Sequence, residues 1–141
     1  MSEVIVEGSA AGFAQSITVG RHHLPSDEPV EAGGQDSGPS PYALLLAALG
    51  SCTSMTLGLY ARRKQWPLEN VVVRLTHSRV HAADCADCES TKSLLDHIDV
   101  QIHLVGEKLT KEQRARLLEI SEKCPVHRTL VNQIKIETNL T

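Results

Sequence analysis

Two cysteines far apart in the chain are the side chains best suited to chemistry. Cys52 lies in a run of small and apolar residues that reads LGSCTSM, and Cys124 lies in KCPVH. A thiol acts as a nucleophile in its thiolate form, and two thiols can form and break a disulfide during a reaction cycle. The two cysteines are therefore interpreted as a thiol redox pair. The alternative is that both only fill space in the interior, where free cysteine is common.

Cys52 is predicted to lie midway along a long helix. Ser40 followed by Pro41 has the chemistry of an N-cap and a first helical residue, and from there to Gln65 the chain is rich in Leu and Ala. Basic residues and then Trp66-Pro67 end the helix. Cys52 falls on a stripe with spacings of three and four, which predicts that the thiol is at least half buried. The stripe consists of Leu45, Leu49, Cys52, Thr56 and Leu59.

Cys124 is predicted to begin a short helix. It directly precedes Pro125, which favours a first helical position, so the thiol is placed as an N-cap that meets free amide groups. Thr110 and Gln113 form a capping-box pattern that opens the preceding helix, which is predicted to end just before Cys124. This position suits a thiol that resolves an intermediate formed at Cys52.

The remaining elements are strands and one loop. Alternating apolar residues predict strands at 4–7, 15–19 and 97–105, and β-type residues predict one at 69–80. Short strands are also predicted at 21–24 and 133–137. Residues 25–41 hold four of the six prolines and four acidic residues, and are predicted to form an ordered loop. The 141 residues are expected to fold as a single α+β domain, 1–141, with a long central helix packed on antiparallel sheet.

Composition narrows the classes of function. The formal net charge is −3 and aromatic residues make up 3% of the chain, so the sequence lacks the basic surface and the stacking platform typical of nucleic-acid binding. It shows no leader pattern, and no apolar run is expected to reach the ~20 residues that span a bilayer. The expectation is a cytoplasmic protein without nucleic-acid or membrane partners. There its four cysteines would be catalytic, redox-sensing or metal-binding.

The segments around the two cysteines resemble the OsmC/Ohr family, the osmotically inducible and organic hydroperoxide resistance proteins. The resemblance is carried by residues 38–56, GPSPYALLLAALGSCTSMT, and by residues 123–130, KCPVHRTL. It extends over nearly the whole chain and is weakest at residues 81–95. The resemblance implies an OsmC-like α+β fold and an intertwined homodimer with two active sites at the interface.

The resemblance also implies a cysteine-based peroxidase that needs no cofactor. Cys52 would attack the distal oxygen of an organic hydroperoxide and become a sulfenic acid, which condenses with Cys124 to a disulfide. A dithiol reductant would then restore both thiols. An apolar pocket around Leu45, Leu49 and Leu59 is predicted to favour alkyl or lipid hydroperoxides over hydrogen peroxide.

Cys52 needs a cationic partner, because burial among leucines disfavours the charged thiolate. Members of the family pair an arginine with a glutamate near the start of the long helix, whereas residues 41–44 of this chain read PYAL. Arg21 is the candidate cation. Glu28, or Asp27 beside it, is the candidate carboxylate that would hold the arginine in place.

A second constellation lies between the two central strands and reads HAADCADC, from His81 to Cys88. Cys85 and Cys88 are spaced to chelate a metal, and His81 is four residues before the first of them, so a zinc site would need further ligands such as His77 or His97. The motif also suits a redox-active dithiol or an inert surface loop. If it is the functional centre, the protein is a non-enzymatic zinc-binding or redox-sensing module of the same fold.

Acyl transfer is a further alternative, since a cysteine with a histidine base can form an acyl-enzyme. No histidine adjoins Cys52 in the sequence. His127, His22 and His23 are the candidates that could donate to a thiol or to a substrate.

Overall fold

The structure is a computed structural model that describes residues 3–81 and 94–141, with the backbone alone described for Val80, His81 and Leu94. Cys85 and Cys88 lie outside the described residues. The chain divides into two compact units, Met1–Leu45 and Leu46–Thr141. Each unit has its own antiparallel sheet, and a long helix completes the mixed α+β architecture that the sequence predicts.

The first unit contains a three-stranded antiparallel sheet. Its strands, in spatial order, are β1 (Val4–Gly8), β2 (Gln15–Val19) and β3 (His22–Ser26). Only two residues, Gly20 and Arg21, connect β2 to β3. Gly20 has a φ of 58°, as the first central residue of a type II′ turn requires, and the twist of that turn matches a hairpin. The three predicted strands are confirmed, and the third begins one residue later than predicted.

Asp27 organises the loop that follows β3. It is 2% exposed, and its Oδ1 accepts the Glu28 N–H at 2.7 Å. Its Oδ2 accepts the N–H of Gln35 at 3.2 Å and both the N–H and the hydroxyl of Ser37, at 3.1 and 2.7 Å. These hydrogen bonds, those from Ser37 first, lower the pKa of Asp27 to about 2. The loop also contains a short 3₁₀ helix, Val30–Ala32, and is ordered as predicted.

The long helix that the sequence predicts is α1 (Pro41–Lys64). At its start, Ser40 Oγ accepts a backbone hydrogen bond of the first turn at 3.2 Å, as an N-cap does. At its end, Gln65 adopts a left-handed φ of 57°, and the Trp66 N–H donates to the Ala61 carbonyl at 2.9 Å, as in a Schellman motif. Both ends of α1 therefore lie where the sequence places them.

The second unit contains a two-stranded antiparallel ribbon of β4 (Asn70–His81) and β5 (Leu94–Val105). Leu75 lies opposite Val100 in the register. Because side chains alternate along a strand, one face of the ribbon is apolar and the other polar. Both strands are predicted from the sequence, β4 from its β-type residues and β5 from its alternation, and β5 starts at Leu94 rather than at residue 97.

α1 packs on the apolar face of the ribbon. Gly50 approaches Leu75 so closely that a Cβ at residue 50 would lie 2.8 Å from Leu75 Cδ1. Seven residues further along α1, about two helical turns, Leu57 is fully buried. The core cluster of the described residues consists of Leu57, Leu109, Leu117 and Ile120.

The buried stripe of α1 lies beside the stripe that the sequence predicts. Its members are Leu49, Gly50, Thr53, Leu57 and Ala61. Of the predicted stripe, Leu49 is in the core, whereas Leu45 and Leu59 are exposed and Cys52 is partly buried. The cause is Gly50, because the lack of a side chain there lets this face of the helix approach the sheet.

Two further helices complete the second unit, α2 (Lys111–Ser121) and α3 (Pro125–Val131). The predicted capping box at the start of α2 is confirmed. Thr110 Oγ1 accepts the Gln113 N–H at 3.1 Å, and Gln113 Oε1 accepts the Thr110 N–H at 3.0 Å.

The strand predicted at residues 133–137 is not formed. This segment is irregular and fully on the surface, with Ile134 54% and Ile136 81% exposed. The prediction is wrong for the single chain because a strand needs a neighbouring strand to satisfy its backbone hydrogen bonds, and alternation alone does not supply one.

α1 is also a longer apolar segment than was expected anywhere in the sequence. By length and composition it is long and apolar enough to cross a bilayer, with a mean hydropathy of 1.5 over 18 residues. A mostly buried core helix passes the same test, and α1 contributes Leu57 to the core, but only 17% of its apolar window is buried. The expectation that no segment reaches spanning length is therefore wrong, while the finding is weak support for a membrane role.

Candidate functional site

Cys52 lies at the border of the buried stripe of α1 and opens onto a shallow depression of about 370 Å³. The depression is lined by Ala48, Ser51, Cys52, Met55, Thr56, Leu59 and Pro125. The thiol is reachable from solvent through this depression. Because most of the lining is apolar, the surface is suited to a hydrocarbon group. Of the three leucines predicted to surround Cys52, Leu59 lines the depression and Leu49 faces a different cavity.

Cys124 caps α3, as the sequence predicts. Its backbone is extended, with φ −63° and ψ 142°, and its Sγ accepts the His127 N–H at 3.3 Å. Pro125 occupies the first helical position, where its missing N–H leaves no donor unsatisfied. The Cys124 side chain is 0% exposed, so neither solvent nor a substrate reaches this thiol directly.

The two cysteine segments meet. Thr53, the residue after Cys52, is 2% exposed and lies with its Oγ1 3.8 Å from Cys124 Sγ. Pro125, the residue after Cys124, lines the depression at Cys52. Both cysteines are free thiols. The fold therefore brings the beginning of α3 against the middle of α1, although 71 residues separate Thr53 from Cys124.

Arg21 and Glu28 belong to the first unit. Arg21 is exposed at the tip of the β2–β3 turn, and Glu28 is partly buried in the loop, where its carbonyl accepts the Asp36 N–H at 3.1 Å. Asp27 is held by four hydrogen bonds of its own loop, so Glu28 is the better candidate for a carboxylate that binds an arginine. The activation of Cys52 by Arg21 and Glu28 stays a prediction.

His127 lines a second cavity, of about 250 Å³, and contacts Cys124 through its backbone amide. Leu49, Asp96, Ile98, Val100, Leu130 and Val131 complete the lining. An acyl-transfer site would need an imidazole beside Cys52, and the depression at Cys52 contains no histidine among its described lining residues.

The motif from His81 to Cys88 lies outside the residues whose side chains are described. Of its predicted helpers, His77 binds Asp96 at 2.8 Å, and His97 points to the opposite face of the ribbon because residues 96 and 97 alternate. Within residues 3–79 and 95–141, no three His, Cys, Asp or Glu side chains cluster as metal ligands do. Zinc binding by Cys85 and Cys88 stays a prediction.

Two features of the second unit are not predicted from the sequence. Thr53 could have been found as a polar residue four positions after Leu49, on the face that the core requires. The other feature is a polar cluster at the end of the apolar face, where His77 and Arg79 bind Asp96 Oδ1 at 2.8 and 3.2 Å. The hydrogen bond from His77, then that from Arg79, lowers the pKa of Asp96. Only the strand register brings these residues together.

Several solved structures of bacterial proteins have the same fold. An OsmC-like protein from Mycoplasma pneumoniae matches with a TM-score of 0.71 and 22% identity, over 100% of this chain and 96% of that one. An organic hydroperoxide resistance protein OsmC from Legionella pneumophila gives 0.68 and 19%, over 93% and 89% of the two chains. The organic hydroperoxide resistance protein OhrB of Bacillus subtilis gives 0.60 and 19%, over 93% and 90%.

No curated protein matches the sequence. The model of the family described as OsmC-like protein matches residues 34–139, which include both cysteine segments and most of the chain. The chain belongs to the OsmC-like protein family, as its cysteine motifs predict.

Proposed function

We propose that the protein is a cytoplasmic, cofactor-free thiol peroxidase that reduces organic hydroperoxides. The observation that carries the proposal is the meeting of the two cysteine segments, with Thr53 Oγ1 3.8 Å from Cys124 Sγ and Pro125 in the depression at Cys52. Two thiols on segments that contact each other are suited to forming and breaking a disulfide during a reaction cycle.

The reaction has three steps. The Cys52 thiolate attacks the distal oxygen of the hydroperoxide, and the O–O bond breaks. Cys52 becomes a sulfenic acid, and the departing alkoxide takes a proton from solvent to become an alcohol. Cys124 then attacks the Cys52 sulfur, the S–O bond breaks, and water leaves as the disulfide forms. A dithiol reductant takes up the disulfide by exchange, is itself oxidised, and returns both thiols.

The depression at Cys52 supports an organic substrate. Met55, Leu59 and Pro125 contribute apolar surface there, and burying each methylene of an alkyl tail is worth about 0.8 kcal/mol. Hydrogen peroxide has no tail to bury and gains nothing from this surface. The names of the similar structures from Legionella pneumophila and Bacillus subtilis, both called organic hydroperoxide resistance proteins, agree with this substrate class.

A homodimer is part of the proposal. The single chain leaves apolar side chains of α1 and of the C-terminal segment in solvent, including Met55, which is 72% exposed. Residues 133–137 alternate like a strand, but no strand of the described residues lies beside them. A second copy would cover the helix face and supply a strand that pairs with this segment.

The first test is a titration of the reduced protein with one equivalent of cumene hydroperoxide, followed by disulfide mapping by mass spectrometry. The expected product is a Cys52–Cys124 disulfide, which a Cys52→Ser variant does not form. A Cys124→Ser variant should consume the same equivalent but stop at an oxidised Cys52. No reaction at Cys52, or oxidation of Cys85 and Cys88 alone, would overturn the peroxidase and favour the redox-sensing alternative.

The oligomer is tested separately by sedimentation in the absence and presence of lipid vesicles. A mass of two chains without lipid is the expected result. A single-chain mass, or cosedimentation with the vesicles, would contradict a dimer that covers α1.

A further inference from the structure

Thr53 is a buried hydroxyl that the three proposed steps do not use. Its Oγ1 donates to the Leu49 carbonyl at 2.8 Å and lies 3.8 Å from Cys124 Sγ. The same sulfur accepts the His127 N–H at 3.3 Å. Thr53 and Cys124 are both removed from solvent, so these contacts replace the hydrogen bonds that water would supply.

The count of protons fixes the direction of each hydrogen bond. A threonine hydroxyl has one proton, and here the Leu49 carbonyl receives it. The S–H of Cys124 is therefore the donor to Thr53 Oγ1. With the His127 amide as its own donor, the resting thiol has both its proton and its lone pair satisfied in a buried site.

The Leu49 carbonyl can release the hydroxyl of Thr53 without becoming unsatisfied. In a regular helix this carbonyl also accepts the backbone N–H four residues later, which is that of Thr53 itself. The hydroxyl can therefore turn from the carbonyl to the sulfur when the sulfur becomes negative. A hydrogen bond to a charged acceptor is stronger than one to a neutral acceptor, so the turn is favourable at that moment.

We propose that Thr53 is a positioning residue for the Cys124 thiol, accepting its S–H at rest and donating to its sulfur during attack on Cys52. The inference rests on the proposed redox pair. As the new S–S bond forms and the S–O bond of the sulfenic acid breaks, the departing hydroxide takes the Cys124 proton and leaves as water. Thr53 acts through Cys124 and does not touch the peroxide.

A mixed disulfide separates this inference from the peroxidase reaction. In a Cys85→Ser, Cys88→Ser background, dithiobis(nitrobenzoate) labels the reachable Cys52 and releases one equivalent of thionitrobenzoate. Attack by Cys124 on the Cys52 sulfur then forms the Cys52–Cys124 disulfide and expels a second equivalent, measured by its absorbance. A Cys124→Ser variant should release only the first equivalent.

The decisive comparison is between two substitutions of Thr53. Thr53→Val keeps the shape but removes the hydroxyl, and the second release is expected to slow about tenfold, the effect of one hydrogen bond to a charged group. Thr53→Ser keeps the hydroxyl and should remain within about twofold of the parent protein. Thr129→Val, an exposed threonine of α3, is the matched control and should change neither release.

Equal second-phase rates for Thr53→Val and the parent protein would overturn the inference, as would Thr53→Ser being as slow as Thr53→Val, which indicates packing alone. If Thr53→Val does not fold, Thr53→Ala against Thr53→Ser makes the same comparison. A parent protein that releases no second equivalent refutes the redox pair itself. If Thr53→Val slows the second release but the protein does not react with hydroperoxides, the inference about Thr53 stands and only the proposed oxidant is refuted.

Discussion

Cys52 and Cys124 are thiols of one chain in opposite kinds of environment. Cys124 is fully buried, and its sulfur contacts a hydroxyl and a backbone amide. Cys52 is partly exposed in an apolar depression, and no hydrogen bond to its sulfur is found among the described residues. The contrast suits a division of work, in which one thiol is open to a substrate while the other is kept from oxidants until its partner has reacted.

The largest expected difference is in alkylation. With iodoacetamide and the native protein, Cys52 should react about 100-fold faster than Cys124, because a buried thiol reacts only after a local opening that costs about 3 kcal/mol. Peptide-level mass spectrometry over time measures both rates. In urea the two rates should converge, which is the control. Similar rates in the native protein would remove the basis of the comparison.

A smaller effect is expected from the depression that only Cys52 faces. Leu59→Ala removes apolar surface from its wall and should lower kcat/KM for cumene hydroperoxide about fivefold, or about 1 kcal/mol, and leave that for hydrogen peroxide unchanged. Leu118→Ala, a leucine 60% exposed on α2, is the matched control. An equal loss with both peroxides would show that Leu59 supports the fold or the thiol rather than the substrate tail.

The smallest expected effect is on stability at low pH, which sets the pH range in which the protein stays folded and the two thiols can be compared. The pKa of Asp27 is lowered to about 2 from 3.8, so its contribution to stability is complete above about pH 4 and is lost as the pH falls through about 2. Asp27→Asn should therefore lower the thermal midpoint by a few degrees at neutral pH.

The gap between Asp27→Asn and the parent protein should close on acidification toward pH 2, as followed by circular dichroism. Ser16→Ala, a substitution in β2, serves as the control that keeps a constant gap. A gap for Asp27→Asn that is the same at acid and neutral pH would show that the carboxylate charge does not hold the loop.

The elements around the thiols follow from local signals. Each of the three helices begins with a cap whose side chain accepts a free backbone amide. The caps are Ser40, Thr110 and Cys124. Capping depends only on residues close together in the sequence, so it can be predicted from the sequence. The β-type residues of β4 and the alternation in β5 likewise predict both strands. The stripe of α1 was less well predicted, because a rotation of the helix by one residue changes which side chains face the core, and periodicity alone does not fix it.

The sequence by itself determined the caps, the central strands, the family and the two thiols, because these depend on residue type and short spacing. Tertiary structure alone decided that Thr53 lies against Cys124, since the missing side chain of Gly50 sets how α1 lies on Leu75. It also left residues 133–137 without the strand that their alternation predicts. A local pattern predicts which residues suit a strand. The backbone hydrogen bonds of a strand, however, need a neighbouring strand, which only the tertiary structure provides.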